Sequence, residues 1–243
     1  MTVETLAHLM KESNRTVVLT GAGMSTESGI PDFRSSTGLW QNIDPRIVAS
    51  TESLQKNFEQ FREFYQMRIT ALDNCEPHQG HLILADFEKR GLVSLIATQN
   101  VDQLHQQAGS KNVAELHGNI VTIRCQKCGK PHAKEQFLNN SICTYCPGKL
   151  RPNVVLFGES LPTEAWDRTL HEIHDADLVI VIGTSLEVYP VNQLPSMSKG
   201  KLVYINLEQT STSAHYSFDL VLEGSAGEIL ADVHRELKDF KKL

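Results

Sequence analysis

The chain has 243 residues, of which 40% are hydrophobic and 21% charged, so it can bury a sizeable core and is not disordered along its length. Its formal net charge of −6 argues against direct nucleic-acid binding, because domains held by phosphate contacts are usually basic. The N-terminal segment carries Glu4 and Glu12, which argues against a signal peptide, because a signal peptide has an uninterrupted apolar run. The longest apolar run, Leu178–Ile182, is too short to cross a membrane. We therefore expect a cytoplasmic protein that contacts neither nucleic acid nor membrane.

The first predicted elements are a helix, a strand and a glycine loop. Val3–Ser13 is amphipathic, and Thr16–Thr20 is β-branched and apolar, which predicts a helix followed by a buried strand. The strand runs into Gly21 and Gly23, and this layout is typical of a turn whose backbone approaches a pyrophosphate. The dehydrogenase pattern has a third glycine where this chain has Thr26, so the short pattern alone also fits an ordinary tight turn.

Later elements alternate between helices and buried strands. The predicted helices are Asn57–Asp73, His78–Arg90 with a stop at Gly91, Pro162–Asp175, and a terminal helix that Ser225 and Glu228 open with a capping box. The predicted strands are Leu92–Thr98, Val154–Phe157, Asp177–Gly183, Lys201–Asn206 and Phe218–Leu222. This alternation predicts an α/β fold with a mostly parallel sheet that helices cover on both faces.

The segment Val121–Pro147 differs from the rest because it is short, polar and rich in Cys and Lys. Cys125 and Cys128 are followed, after fourteen residues, by Cys143 and Cys146. Two such C-x-x-C pairs predict one tetrahedral zinc, and four thiolates leave the metal no open position, so its role is structural. A redox disulfide pair is the alternative, and Cys75, outside both pairs, is interpreted as a plain core residue.

Several longer motifs follow one another in a recognisable order. GAGMSTESGIPDFRS begins at residue 21, TQNVDQLHQQAG at 98, ELHGN at 115, RPNVVLFGE at 151 and GTSLEVYP at 183, and the pair IN stands at 205–206. Together they resemble the sirtuin (Sir2) family of NAD-dependent protein deacylases, in its bacterial form, over nearly the whole chain. The resemblance implies a Rossmann-like NAD-binding domain formed by 1–29, 79–120 and 151–243. It also implies a smaller inserted zinc-ribbon and helical module formed by 30–78 and 121–150.

Sirtuins cleave the nicotinamide–ribose bond of NAD and pass the ribose carbon to the acyl oxygen of a modified lysine on a protein substrate. By this resemblance His117 is the catalytic base, a role that suits an imidazole with a pKa near neutrality, and Asn100 orients a water or a ribose hydroxyl. From the residues alone, His117 could instead be a hydrogen-bonded histidine at a strand end, which is the more common case for a lone histidine. The resemblance also assigns to the cofactor Gly21, Ala22, Gly23, Thr26, Phe33, Arg34, Gln99, Val101, Asp102, Gly183, Thr184, Ser185, Asn206 and Ala226.

The substrate residues are implied in the same way. The segments 154–158 and 186–190, with Val155, Phe157 and Val188, resemble family segments between which an acyl-lysine peptide is added as a strand. Tyr65 and Arg68 stand at i and i+3 of a predicted helix, so together they could bind a carboxylate and favour succinyl or malonyl groups over acetyl. The alternative interpretation is a core tyrosine beside a solvated arginine.

Three other functions compete with deacylation. An NAD-dependent dehydrogenase would usually have the full glycine pattern, which Thr26 interrupts. A mono-ADP-ribosyltransferase would use the same activated ribose carbon with a different acceptor. A non-enzymatic NAD-binding or zinc-dependent module would keep Gly21 and Gly23 but would not need His117.

Overall fold

The computed structural model of the chain describes residues 2–33, 38–41 and 43–241. The strands in chain order are β1 (Thr16–Thr20), β2 (Leu95–Thr98), β3 (Val113–Glu115), β4 (Gly118–Cys125), β5 (Pro131–His132), β6 (Leu150–Val154), β7 (Leu178–Ile182), β8 (Lys201–Asn206) and β9 (Leu220–Glu223). Six of them form one sheet in the order β3-β2-β1-β7-β8-β9, and β5-β4-β6 form a second. Every pairing in the large sheet is parallel, whereas the small sheet is antiparallel.

The helices are α1 (Val3–Glu12), α2 (Pro45–Val48), α3 (Thr51–Lys56), α4 (Phe58–Leu72), α5 (Gln79–Lys89), α6 (Leu104–Gln107), α7 (Lys134–Leu138), α8 (Thr163–His174) and α9 (Ala226–Glu236). Residues of α1, α5 and α9 form one hydrophobic core with the large sheet, and residues of α8 help to form another. The large sheet is therefore Rossmann-like, as the alternating pattern predicts. None of the described helices is long and apolar enough to span a membrane.

The buried strands owe their continuous apolar sequences to this double coverage. Every residue of β1 and β7 is buried, which fits strands in the middle of a parallel sheet with helices on both sides. The small sheet has its own core, which it shares with α2, α3 and α4 and which includes Phe61, Ile120 and Phe137.

The predicted strand Val154–Phe157 is wrong, because β6 ends at Val154, where its pairing with Gly118 of β4 also ends. Beyond it, the amide of Phe157 donates to the carbonyl oxygen of Ala49 (2.9 Å). Strand β2 begins at Leu95 rather than Leu92, because the Leu92 amide instead caps α5 by donating to the oxygen of Phe87 (2.8 Å).

Three smaller boundaries also differ from the prediction. Strand β9 begins at Leu220 rather than Phe218, whose ring instead stacks on Tyr204 with centroids 4.9 Å apart. Pro162 is the N-cap of α8 rather than part of its first turn. The glycine loop continues as a 3₁₀ helix, Ala22–Ser28, which ends at Gly29 with a φ of 84°.

Candidate active site

The carboxyl ends of four adjacent parallel strands meet at one edge of the large sheet. Gly21 follows β1, Gln99 follows β2, Gly183 follows β7, and Asn206 ends β8. Ligands of open α/β sheets bind at such carboxyl ends. A cavity of about 230 Å³ lies there, and we call it the sheet-edge cavity. The predicted residues that line it are Gly21, Ala22, Gly23, Thr26, Phe33, Gln99, Asn100, His117, Gly183, Thr184, Ser185, Val188 and Asn206.

The glycine loop lies directly against the end of β7. The amide of Gly23 donates to the oxygen of Gly183 (2.8 Å). A Cβ atom at Gly21 would lie 2.6 Å from the Cβ of Thr184, and one at Gly23 would lie 2.8 Å from the Cα of Gly183. Both glycines are therefore needed for backbone packing, and Thr26 is accommodated by a bond from its hydroxyl to the oxygen of Gly23 (3.0 Å).

A buried hydrogen-bond network joins this loop to the residues after β2. The Asn100 amide donates to the oxygen of Gly21 and to the hydroxyl of Ser25, both at 3.0 Å. Ser25 in turn donates to the carboxylate of Asp102 (2.8 Å), which also accepts from the Leu104 amide (2.9 Å). Burial raises the pKa of Asp102 more than these bonds lower it. Ser25 was not predicted, although it lies within the first motif.

A second cavity of about 280 Å³, which we call the inner cavity, is lined in part by Asn100. Val101 and Asp102 line this cavity rather than the sheet-edge cavity, and Phe33 and Asn100 line both. Cys75 also lines it and is only partly buried, so its interpretation as a plain core residue is wrong.

His117 lies in the turn between β3 and β4, and its Nδ1 is 3.2 Å from the carbonyl oxygen of Gln99. Because a carbonyl can only accept, Nδ1 carries the proton in this bond and Nε2 is the basic nitrogen of the neutral ring. The turn requires Gly118, which has a φ of 67° and where a Cβ would overlap the oxygen of Asn153.

A third cavity of about 430 Å³, which we call the groove, is lined by residues 154–161 and 188–190. Gln99 and His117 line both the groove and the sheet-edge cavity. The predicted substrate residues Val155, Phe157 and Val188 all line the groove. The amides of Val155 and Phe157 already donate to His117 and Ala49, so a peptide strand must pair with other backbone groups.

Tyr65 and Arg68 of α4 both line the groove. Burial raises the pKa of Tyr65 to about 12 and lowers that of Arg68. The Arg68 guanidinium lies 5.1 Å from the ring centroid of Phe33 and 6.0 Å from that of Tyr65. Among the described residues, none forms a hydrogen bond with the Tyr65 hydroxyl or the Arg68 guanidinium.

The four predicted zinc ligands come together at the small sheet, and their sulfur atoms all lie within 4.8 Å of one another. The sulfurs of Cys125 and Cys146 are 3.6 Å apart, as are those of Cys128 and Cys143. Tetrahedral zinc with Zn–S bonds of about 2.3 Å separates its sulfurs by roughly 3.8 Å, so the cluster fits the metal.

Two further cofactor residues are predicted by the sequence, Arg34 and Ala226. Arg34 lies outside the described residues. Ala226 begins α9, is 7% exposed, and is not among the described residues that line the three cavities. Lining residues that the sequence did not single out include Thr210 in the sheet-edge cavity and Glu159 in the groove.

Comparisons with known proteins agree with this geometry. The model described as the Sir2 family matches residues 21–190. The NAD-dependent protein deacetylase 1 of Geobacillus kaustophilus (strain HTA426) is 46% identical over 243 residues, covering 97% of this chain and 98% of the relative. The NAD-dependent protein deacylase 2 of Pyrobaculum aerophilum is 39% identical over 238 residues, covering 96% of this chain and 95% of the relative.

Solved structures show the same fold. A Sir2 homolog–NAD complex has a TM-score of 0.89 and 37% identity, covering 97% of this chain and 93% of the other. A Sir2 protein with a deacetylated p53 peptide and 3′-O-acetyl ADP-ribose has a TM-score of 0.91 and 36% identity, covering 97% and 98%.

Proposed function

Because the chain belongs to the Sir2 family, we propose that it is an NAD-dependent protein-lysine deacylase that releases nicotinamide, O-acyl-ADP-ribose and free lysine. The observation that carries this proposal is the position of His117, which lines both the sheet-edge cavity and the groove. NAD in the cavity and an acyl-lysine in the groove would meet at this one imidazole. NAD would supply a ribose carbon that accepts the acyl oxygen as nicotinamide leaves.

The proposed role of His117 follows from its hydrogen bond. With Nδ1 donating to Gln99, Nε2 takes a proton from a ribose hydroxyl, which then attacks the acyl carbon. The side chain of Gln99 donates to the hydroxyl of Thr184 (3.0 Å). This bond helps to hold Gln99 in place, and the carbonyl oxygen of Gln99 orients the His117 ring. Asn100 is held by Gly21 and Ser25, so its side chain can orient a ribose hydroxyl or a water.

The other cofactor contacts are proposals that the sheet-edge cavity supports. The glycine loop, Thr26, Thr184, Ser185 and Asn206 hold the phosphates and the adenosine ribose. Phe33, which lines all three cavities, excludes water from the reactive carbon. Val101 and Asp102 contact the nicotinamide side from the inner cavity. The contacts assigned to Arg34 and Ala226 remain predictions.

The division of the chain is also a proposal. The Rossmann-like part comprises 1–29, 79–120 and 151–243, and the small part comprises 30–78 and 121–150. Two separate sheets with separate cores support it, although β4 and β6 of the small sheet extend across the proposed boundaries. The four thiolates would hold one structural zinc, and ligands of this kind are kept reduced in the cytoplasm, where we place the protein.

A preference for succinyl or malonyl groups is a second candidate function. It is supported by Arg68, which lines both the groove and the inner cavity and whose guanidinium lies beside Tyr65 without a hydrogen bond to any described residue. A guanidinium and a phenol together suit an acyl carboxylate. We expect Arg68→Met to lower desuccinylation at least about tenfold while sparing deacetylation, since one charge-assisted bond is lost. Arg62→Met, on the same helix, is the matched control, and an equal loss on both substrates would contradict this preference.

Mass spectrometry of acetyl-lysine and succinyl-lysine peptides incubated with NAD tests the main proposal. We expect peptide deacylation with one nicotinamide released per lysine freed. Reduced cofactor would indicate a dehydrogenase, and ADP-ribosylated protein would indicate transfer to a side chain. The latter is not favoured, because the named relatives are deacetylases and deacylases.

A further inference from the structure

One arginine of the small sheet, Arg151, forms an ion pair while its own side chain is buried. Arg151 of β6 is fully buried, with 0% of its surface exposed. Its guanidinium makes two bonds to the carboxylate of Glu159, with N–O distances of 2.6 and 3.0 Å. It also donates to the backbone oxygens of Val154 (2.6 Å) and Pro152 (3.2 Å). The side chain therefore binds both ends of the segment 154–159, which forms one wall of the groove.

Glu159 completes this arrangement from the other side. The carboxylate oxygen that accepts from Arg151 at 3.0 Å also accepts from the backbone amide of Leu156 (2.9 Å). Burial alone would raise the pKa of Glu159, but the bonds from Arg151 and Leu156 outweigh it and the pKa lies below its ordinary value. The ion pair thus remains charged near neutral pH, and Glu159 itself lines the groove.

The same guanidinium reaches toward the cysteine cluster. It donates to the side-chain oxygen of Gln126 (3.2 Å), which directly follows Cys125. The neighbouring Leu150 is paired with Cys125 in the register of β4 and β6. Arg151 therefore links the segment that carries a zinc ligand to the segment that lines the groove.

A buried ion pair adds little net stability compared with apolar packing, because both charges must be desolvated. Its bidentate geometry does, however, hold both partners in one orientation. We propose that Arg151 and Glu159 are positioning residues that set the shape of the acyl-peptide groove, and that the zinc module acts on peptide affinity through them. This inference rests on the proposed deacylase function.

The test measures KM for acyl peptide and for NAD separately in Glu159→Gln and Arg151→Lys, with zinc content and thermal unfolding as checks. Glu159→Gln keeps the side-chain shape and removes the charge, so we expect KM for the peptide to rise about tenfold or more and KM for NAD to stay within about twofold. Lys201→Gln, which breaks an exposed pair with Asp219 at the far end of β8, is the matched control and should change neither. Equal changes in both constants, or none, would overturn the proposal.

Gln126→Ala tests the link to the cysteine segment, since it removes one bond and leaves the Arg151–Glu159 pair intact. It should raise KM for the peptide by a smaller factor with zinc retained, and an unchanged value would overturn the link. If Arg151→Lys does not fold, Glu159→Gln decides. Fluorescence anisotropy of a labelled acyl-lysine peptide separates this inference from the proposed function. Wild type that binds but does not turn over the peptide would count against the function alone, whereas equal binding by wild type and Glu159→Gln would overturn the inference.

Discussion

The sheet-edge cavity and the four-cysteine cluster are built by opposite means. Around the cavity, Gly21, Gln99 and Gly183 directly follow strands of the large sheet, and all residues of β1 and β7 are buried. Around the cysteines the elements are short: β5 has two residues and α7 has five, and Cys128 is exposed. The first region is positioned by a large apolar core, whereas we expect the second to depend on bonds from its four cysteines to zinc. Loss of zinc and substitutions at the sheet edge should therefore have very different effects on stability.

The largest expected effect is the loss of zinc through Cys143→Ser or a chelator. A structural zinc contributes on the order of 10–16 kcal/mol in isolated modules, and the short elements of this segment cannot replace that. We expect loss of bound zinc, unfolding of the segment and loss of deacylation, while the large sheet keeps its cooperative unfolding transition. Metal analysis and circular dichroism measure this, with Cys75→Ser as the control that retains zinc. A zinc-free variant with full activity would contradict the contrast between the two regions.

A smaller effect is expected from Gly23→Ala at the edge of the large sheet. The added Cβ would lie 2.8 Å from the Cα of Gly183, and such overpacking costs about 1–3 kcal/mol. We expect a lower free energy of unfolding and a higher KM for NAD, with zinc content unchanged, as urea unfolding and steady-state kinetics would show. A variant with wild-type stability and KM would mean that this loop tolerates a side chain and is not held by close packing.

The effect that is smallest near neutral pH, and that grows as the pH is lowered, concerns the pH dependence of stability in the large core. His81 is fully buried, neither of its ring nitrogens has a hydrogen-bond partner among the described residues, and desolvation lowers its pKa to about 2. Desolvation likewise lowers the pKa of His105 to about 3. Below the ordinary histidine pKa of about 6.5, the unfolded chain binds protons that the folded chain does not, so stability is full above that pH and falls as the pH is lowered.

Each of these histidines should contribute up to about 1.4 kcal/mol per pH unit between the two pKa values. Urea unfolding at a series of pH values from neutral downward measures the slope. His81→Asn removes one of the two titrating groups, so we expect its slope to be shallower than that of the wild type. Identical slopes would show that His81 is not the source.

The sequence predicts the strands of the large sheet other than the short edge strand β3, because their sequence pattern and their environment coincide. Strands buried on both faces require continuous apolar runs, so Thr16–Thr20 and Leu178–Ile182 were found with their structural boundaries or close to them. The four cysteines were found because their spacing reflects metal geometry. The apolar runs and the cysteine spacing both involve residues that are close in the sequence, so they can be recognised from a single sequence.

What was missed depends on contacts between distant segments. The end of β6 is set by its pairing with β4, which the apolar run Val154–Phe157 does not reveal. Ser25 acquires its role only because the residues after β2 approach it. Arginine is usually exposed to solvent, and the residues next to Arg151 in the sequence do not indicate that it is fully buried. Cys75 lies in the segment that follows α4, and it lines a cavity through the placement of that segment, not through any local pattern.

The most direct test replaces His117 by tyrosine and measures both deacylation and NAD binding. General-base catalysis contributes about 10²–10⁴-fold to rates, so turnover of an acyl-lysine peptide should fall by about that factor while the Kd for NAD stays near that of the wild type. Turnover equal to that of the wild type would show that the imidazole between the sheet-edge cavity and the groove is not the base.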